Sequence, residues 1–374
     1  MKGAWSRRVS LAVSSLTLFM VCLGIWSLVS AKVLTAVAVQ PSSLVPLPFL
    51  LFVAYEVAVI SCHVARILVA RPLGFQLLSF GYGPFAIRKV RGRSKFSWNY
   101  RETMLTGTTV FAPKHLENLR WRCVLLNASA PLFVLVIGLI FLGLTRLSVP
   151  VRSSIDTLFF AAMAFTGIVA AVGLMLPFAR DRLNDYGRLI WDAFQGKPTS
   201  EVLLLINAIK CQGKQGVRPR DWPHAWLNRA ATLTEKTDFP ERFLVCFACF
   251  YHAIDRRDIQ SASRFLDEAV AKANRKSRMY YSRIMLECAF FEARFKQNAS
   301  AARRAFESIQ DLSTVPRHVW LRASAALAAA EGRFEECHLQ AQEALEIIQS
   351  LPVIHHLAVE WLQELLESRR PVRC

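Results

Sequence analysis

The residues best suited to chemistry stand inside an apolar stretch. Residues 45–70 are almost wholly hydrophobic, yet they include Glu56, Cys62, His63 and Arg66. A carboxylate and an imidazole are the usual agents of proton transfer, and together with a thiolate they are the usual ligands of zinc. Glu56 and His63 are seven residues apart, which on a helix sets them on one face two turns apart. Two readings of Glu56 stand: a contact with His63, or a protonated carboxyl bonded to a backbone carbonyl. An ionisable group at such a place is costly enough that a role is its first hypothesis.

Other candidates are weaker. Cys246 and Cys249 form a CxxC, but it lies in the apolar run 243–251 with no second CxxC and no histidine pair at zinc-finger spacing, so core packing is expected. His355 and His356 are adjacent and face apart on a helix. The sequence has no glycine-rich phosphate loop and no GxSxG nucleophile turn. Trp222, Trp226, Phe250, Tyr251, Tyr280 and Tyr281 read as helix-pair core rather than as a ligand cage.

These residues need elements to hold them, and composition says what kind. The chain has 374 residues, 53% of them apolar, with a mean hydropathy of +0.28 and a net charge of +18. Residues 1–178 hold 17 Lys and Arg against four acids, whereas residues 179–374 hold 29 against 24. Four stretches in the front part, 9–31, 45–70, 123–144 and 157–178, reach the roughly 20 apolar residues that cross a bilayer core. The first is read as a signal anchor. Its rival is a cleaved signal peptide ending near Val29, Ser30 and Ala31.

Ten of the cations lie between Arg71 and Arg122, and three precede the first span. The positive-inside bias then puts both termini in the cytoplasm, with a bacterial inner membrane as the expected location. A basic excess beside membrane spans is accounted for by that bias and by anionic headgroups, so nucleic acid is not expected as a partner. The nine cysteines fall in spans or on the cytoplasmic side and are expected to be reduced.

The segment 74–122 lacks helical periodicity. Gly81, Gly83 and Pro84 break extended segments, and a basic stretch from Lys89 to Arg93 precedes Phe96-Ser97-Trp98-Asn99-Tyr100. A short β-hairpin against the cytoplasmic face is expected. From Pro198 onward, helical patterns cover 201–210, 223–232, 241–254, 258–273, 278–295, 299–310, 317–330, 333–349 and 355–367. Asp192, Phe194 and the Gly196-Lys197-Pro198 break mark a hinge before them.

Several landmarks follow one another in a recognisable order: Arg71-Pro72-Leu73-Gly74-Phe75, Gly83-Pro84-Phe85, Glu117-Asn118-Leu119-Arg120, Ala130-Pro131, and Leu176-Pro177 ahead of Asp185. Across roughly residues 45–195 this order resembles the site-2-protease-type intramembrane zinc metalloproteases. The resemblance implies an HExxH on the second span, with two zinc-binding histidines and a glutamate that activates water, and an aspartate near a later span as third ligand. Aligned on Arg71, the motif position holds Cys62-His63-Val64-Ala65-Arg66, and Asp185 holds the third-ligand position.

Arginine stays protonated, so Arg66 has no lone pair for zinc. The resemblance therefore implies no bound cofactor, zinc entering only if the chain is an active intramembrane peptidase. Arg66 either pairs with Asp185 in place of a metal or snorkels toward the interface. A transporter role has only Glu56 in its favour, since four spans without paired broken helices do not match that design.

The rear part carries a weaker likeness. The stretches starting at Asp258, Asn298 and Phe334 align, and their glutamates Glu268, Glu307 and Glu343 recur at 39 and 36 residues. This resembles tetratricopeptide-type helix pairs, which stack into a solenoid offering a surface to a peptide. A generic helical bundle is the alternative. The expected fold is thus mostly α: a four-helix transmembrane bundle with a small hairpin insertion in residues 1–195, then a cytoplasmic helical-repeat domain in 199–374. The expected function is a catalytically inactive, membrane-anchored module that binds a cytoplasmic or membrane protein. Its rival is an active intramembrane zinc metallopeptidase whose repeats recruit substrate.

Overall fold

The structure is a computed structural model. It describes residues 47–90, 93–98, 107–147, 154–176, 186–235, 242–273, 278–309, 312–313, 315–351 and 356–367. The expected first span, 9–31, and Asp185 lie outside these. The chain divides into two compact units, Met1–Leu204 and Leu205–Cys374.

In the first unit, helix α1 (Leu47–Ala70) is followed by strands β1 (Phe75–Tyr82), β2 (Phe85–Val90), β3 (Arg93–Trp98) and β4 (Thr108–Pro113). Helices α2 (Leu119–Leu147), α3 (Ser154–Met175) and α4 (Tyr186–Phe194) then follow. Among the described residues, three helices are long and apolar enough to cross a membrane: Pro48–Ala70, Leu119–Thr145 and Leu158–Met175. They answer to the expected stretches 45–70, 123–144 and 157–178. The middle one starts a turn early because Trp121 and Arg122 are helical without being part of the apolar run. Helix α1 ends where Pro72 follows, since proline biases the residue before it away from helical dihedrals. The three helices pack on one another through Ala58, Cys62, Ala130 and Val134, with Ala170, Leu174 and Tyr186 against them.

The expected hairpin proves to be a four-stranded antiparallel sheet in the order β3-β2-β1-β4. A two-residue turn joins β1 to β2, with Tyr82 opposite Phe85 and Gly83 at φ +54°, a backbone region that glycine enters without a Cβ clash. β4 returns to pair with β1 from Gly81↔Thr108 to Phe75↔Pro113, with an irregularity between Leu77 and Ser79.

The sheet also lies elsewhere than expected. β1 leaves the end of α1 and runs back along it until Tyr82 meets Glu56. Fourteen helical residues rise about 21 Å, and seven strand residues cover about 23 Å, so the two paths match. The far end of the sheet therefore stands level with the middle of α1 rather than on a membrane face.

The second unit continues from helix α5 (Thr199–Lys214). A 3-10 turn at Pro219–Asp221 follows, then α6 (His224–Glu235), α7 (Arg242–Asp255), α8 (Ile259–Lys272) and α9 (Arg278–Arg294). The last four are α10 (Ala299–Glu307), α11 (Arg317–Ala330), α12 (Phe334–Ser350) and α13 (His356–Glu367). A helix occupies each stretch read as helical. Of the residues taken as a hinge, Asp192 and Phe194 belong to the end of α4, and Gly196 follows at φ +82°; the division at 204/205 falls within α5.

Consecutive helices pair as α7 with α8, α9 with α10, and α11 with α12. Their turns share a positive φ, at Arg257, Gln297 and Gly332. The residue after each donates its N–H back into the preceding helix, Asp258 to Ala253 and Arg333 to Ala328 across five residues, Asn298 to Glu292 across six. The fifth residue beyond each, Ala262, Ala302 and Cys337, is small and fully buried. Phe250, Phe290, Phe291 and Trp361 fill the centre of the unit.

Candidate functional site

One face of α1 turns three ionisable side chains toward the sheet. Glu56 accepts a hydrogen bond from the Tyr82 hydroxyl, and among the described residues its Oε1 has no partner. Burial and the carboxylate hydrogen bond both raise the Tyr82 phenol above its ordinary range.

His63 is buried, with its ring edge-on to Phe80 at 6.0 Å. Its Nδ1 hydrogen-bonds Thr109 Oγ1 at 3.2 Å, and its Nε2 edge lies against Gly107. A Cβ on Gly107 would fall 2.2 Å from His63 Nε2, so a larger residue there would displace the ring. Arg66 Nη1 donates to Thr109 Oγ1 at 2.9 Å and to Tyr186 Oη at 3.2 Å. Its guanidinium lies 5.2 Å from the Phe111 ring centre and 5.1 Å from that of Tyr186.

The expected contact between Glu56 and His63 is not formed. They share a face, but two turns separate them by about 10 Å along the axis, and each finds its partner on the sheet instead. The carbonyl partner expected in the other reading of Glu56 is a tyrosine hydroxyl. Arg66 turns inward to Thr109, Phe111 and Tyr186 rather than along the helix toward an interface. Whether it meets Asp185 lies outside the described residues.

These residues do not fit a catalytic zinc, which takes three lone-pair donors and leaves one position open. Both sides of the His63 ring are engaged. Arg66 is a permanent cation seated between two aromatic faces, worth up to about 2 kcal/mol when desolvated. Cys62 is taken up by the apolar contact with Ala58, Ala130 and Val134. Among the described residues, no three His, Cys, Asp or Glu side chains gather around one point. What the arrangement does supply is a cross-tie: α1, β1, β4 and α4 meet through polar groups at three successive levels.

A second cross-tie closes the corner below. Arg122, in the first turn of α2, donates Nε to Leu73 O at 2.6 Å and Nη2 to Gly74 O at 2.8 Å. Its Nη1 donates to His115 O at 2.8 Å and to Glu117 O at 3.0 Å. The guanidinium also stacks over Phe75 at 4.8 Å. Beside it, Arg120 donates to Ala193 O and lies over Trp121.

In the second unit, Cys246 and Cys249 are buried on α7, and burial pushes both thiols up to about 12, so they stay protonated and apolar. The polar feature there is Glu287, which accepts from Tyr251 Oη at 2.7 Å and is paired with Arg322. Arg322 is 5% exposed and stacks between Phe290 at 4.7 Å and Trp361 at 5.0 Å. Burial, reinforced by the Glu287 charge, pushes the Tyr251 phenol up to about 12.

Sequence reasoning found Glu56, Cys62, His63 and Arg66 but missed Tyr82, Gly107, Thr109 and Tyr186. The signal that would have found them is demand: three ionisable groups in a span require partners. Polar residues on the adjoining strands can supply them. Tyr82→Phe is expected to cost about 1–3 kcal/mol because it leaves both Glu56 oxygens without a partner. Glu56→Gln should cost less, and thermal melting of the detergent-purified chain separates the two.

Comparison with models of protein families, with curated proteins and with solved structures finds no match to this chain.

Proposed function

We propose that this chain is a non-catalytic relative of the site-2-protease-type intramembrane metalloproteases. In this reading its membrane part positions a cytoplasmic helical-repeat module that binds a protein. The observation that carries the reading is the setting of Arg66: a guanidinium held by Thr109 and Tyr186 between two rings occupies the place where the resemblance requires a neutral imidazole. His63, beside it, has its Nδ1 committed to Thr109. The repeat reading is supported by the positive-φ turns at Arg257, Gln297 and Gly332, each followed by a small buried residue at the same offset.

The surface of the second unit bears on its partner. Among its described residues, the exposed large hydrophobic side chains are Leu312 and Leu339. A binding face built from this unit is therefore polar and charged, and it selects a partner segment by charge and hydrogen bonding more than by an apolar anchor.

Metal analysis and a cleavage assay test the proposal. The detergent-purified chain is expected to carry far less than one zinc per molecule and to leave helical membrane substrates intact. About one equivalent of zinc, with cleavage abolished by Asp185→Ala, overturns it in favour of the active peptidase.

A further inference from the structure

The lipid-facing side of α2 does not stop at its end. Trp121, Leu125, Leu132, Val136 and Leu139 are all exposed and fall on one helical stripe, with Trp121 at its first turn. Phe194 of α4 sets its ring edge-on against Trp121 at 5.6 Å, and Trp191, one turn earlier on α4, is exposed beside it. The other side of α4 is buried through Leu189, Asp192 and Ala193. The helix is therefore amphipathic, with an aromatic outer face continuing the apolar stripe of a membrane-crossing helix.

Cations surround this end of the bundle. Arg71 and Lys114 are exposed at the corner that Arg122 ties together, and the Lys114 backbone N–H donates to Gly74 O. Arg120 lies over the Trp121 ring at 5.4 Å. Lys197 is 56% exposed just past α4, with its ammonium 3.3 Å from the buried Asp192 carboxylate. Indole rings at the end of a span, flanked by exposed cations, match the headgroup layer: apolar ring bodies reach the acyl boundary while the charges meet phosphates.

We propose that Trp121, Trp191 and Phe194 form a ledge seated in the phospholipid headgroup layer of the leaflet beside segment 71–122, with anionic lipid as its preferred neighbour. The ledge fixes the depth of α4 and so the level at which the chain leaves the bilayer. The proposal rests on the reading of α1, α2 and α3 as membrane spans.

The test uses the full chain in nanodiscs of phosphatidylcholine, with or without phosphatidylglycerol. The emission difference between the native chain and Trp191→Phe isolates Trp191. Lipid brominated near the carbonyl end of the acyl chain is expected to quench that difference about twofold or more, and aqueous iodide is expected to quench it little. Phosphatidylglycerol should deepen the bromolipid effect. In case Trp191→Phe perturbs the helix, Phe194→Trp in that background reports the same ledge from the neighbouring turn. If Trp191 is quenched by iodide and untouched by bromolipid, the ledge faces water or another protein and the proposal falls. Failure of the chain to reconstitute at all would overturn the membrane reading beneath it.

Discussion

Arg122→Ala should be among the most damaging single substitutions in the membrane unit, lowering stability by about 2–3 kcal/mol. One guanidinium there donates to four backbone carbonyls, those of Leu73, Gly74, His115 and Glu117. The bonds to Leu73 and Gly74 are partly buried; Gly74 O keeps the Lys114 N–H, so the acceptor that the alanine variant leaves poorly satisfied is Leu73 O. The bonds to His115 and Glu117 are exposed and should contribute little. Arg122→Lys should recover a small part, because an ammonium is a point donor and cannot span acceptors on two segments. The measurement is the unfolding midpoint of the detergent-purified chain, together with limited proteolysis across 71–74 and 113–118. An alanine variant with an unchanged midpoint and an uncut corner would show that the sheet holds itself against α1 without this tie.

The second large effect is expected in the helical unit. Arg322→Met leaves Glu287, which has no exposed side-chain surface, without its counter-ion. Breaking one side of a buried pair typically costs about 3–5 kcal/mol. The double variant Arg322→Met with Glu287→Leu should recover most of the loss, although Tyr251 then lacks its acceptor. Arg322→Lys gives an independent reading, because it keeps a cation at Glu287 while giving up the planar stacking on Phe290 and Trp361. It should therefore lose less than Arg322→Met. Denaturant unfolding of the full chain, followed by helical circular dichroism, checks both. Equal damage from the lysine and methionine variants would mean that the loss comes from the stacking of Arg322 rather than from charge.

Much of this architecture is legible in the sequence. Spans announce themselves by length and apolarity, and the helices described in the rear part by apolar residues three and four apart. Even the shared turns have a sequence mark: Asp258 and Asn298 cap their helices by accepting N–H bonds from Ser261 and Ala301. Gly332 supplies the third turn.

The sheet was only half visible. Gly83-Pro84 announces a turn, but nothing in the local pattern of residues 75–113 says that β4 returns to pair with β1 or that β1 climbs beside α1. The partners of Glu56, His63 and Arg66 were hidden for the same reason. Tyr82 is 26 residues from Glu56 and Tyr186 is 120 residues from Arg66, so those contacts depend on tertiary placement that periodicity does not encode. The helix at Tyr186–Phe194 was masked by its brevity and by the Gly196 break that ends it.

A sheet beside a span also makes demands on the surrounding lipid. Among the described residues, β3 pairs on one side with β2 and β4 on one side with β1. Hydrocarbon chains cannot satisfy the peptide groups of an outer strand, so each must be met by water, by headgroups or by another segment. A sheet beside an apolar helix thus requires a wet or protein-covered flank at the level of Glu56.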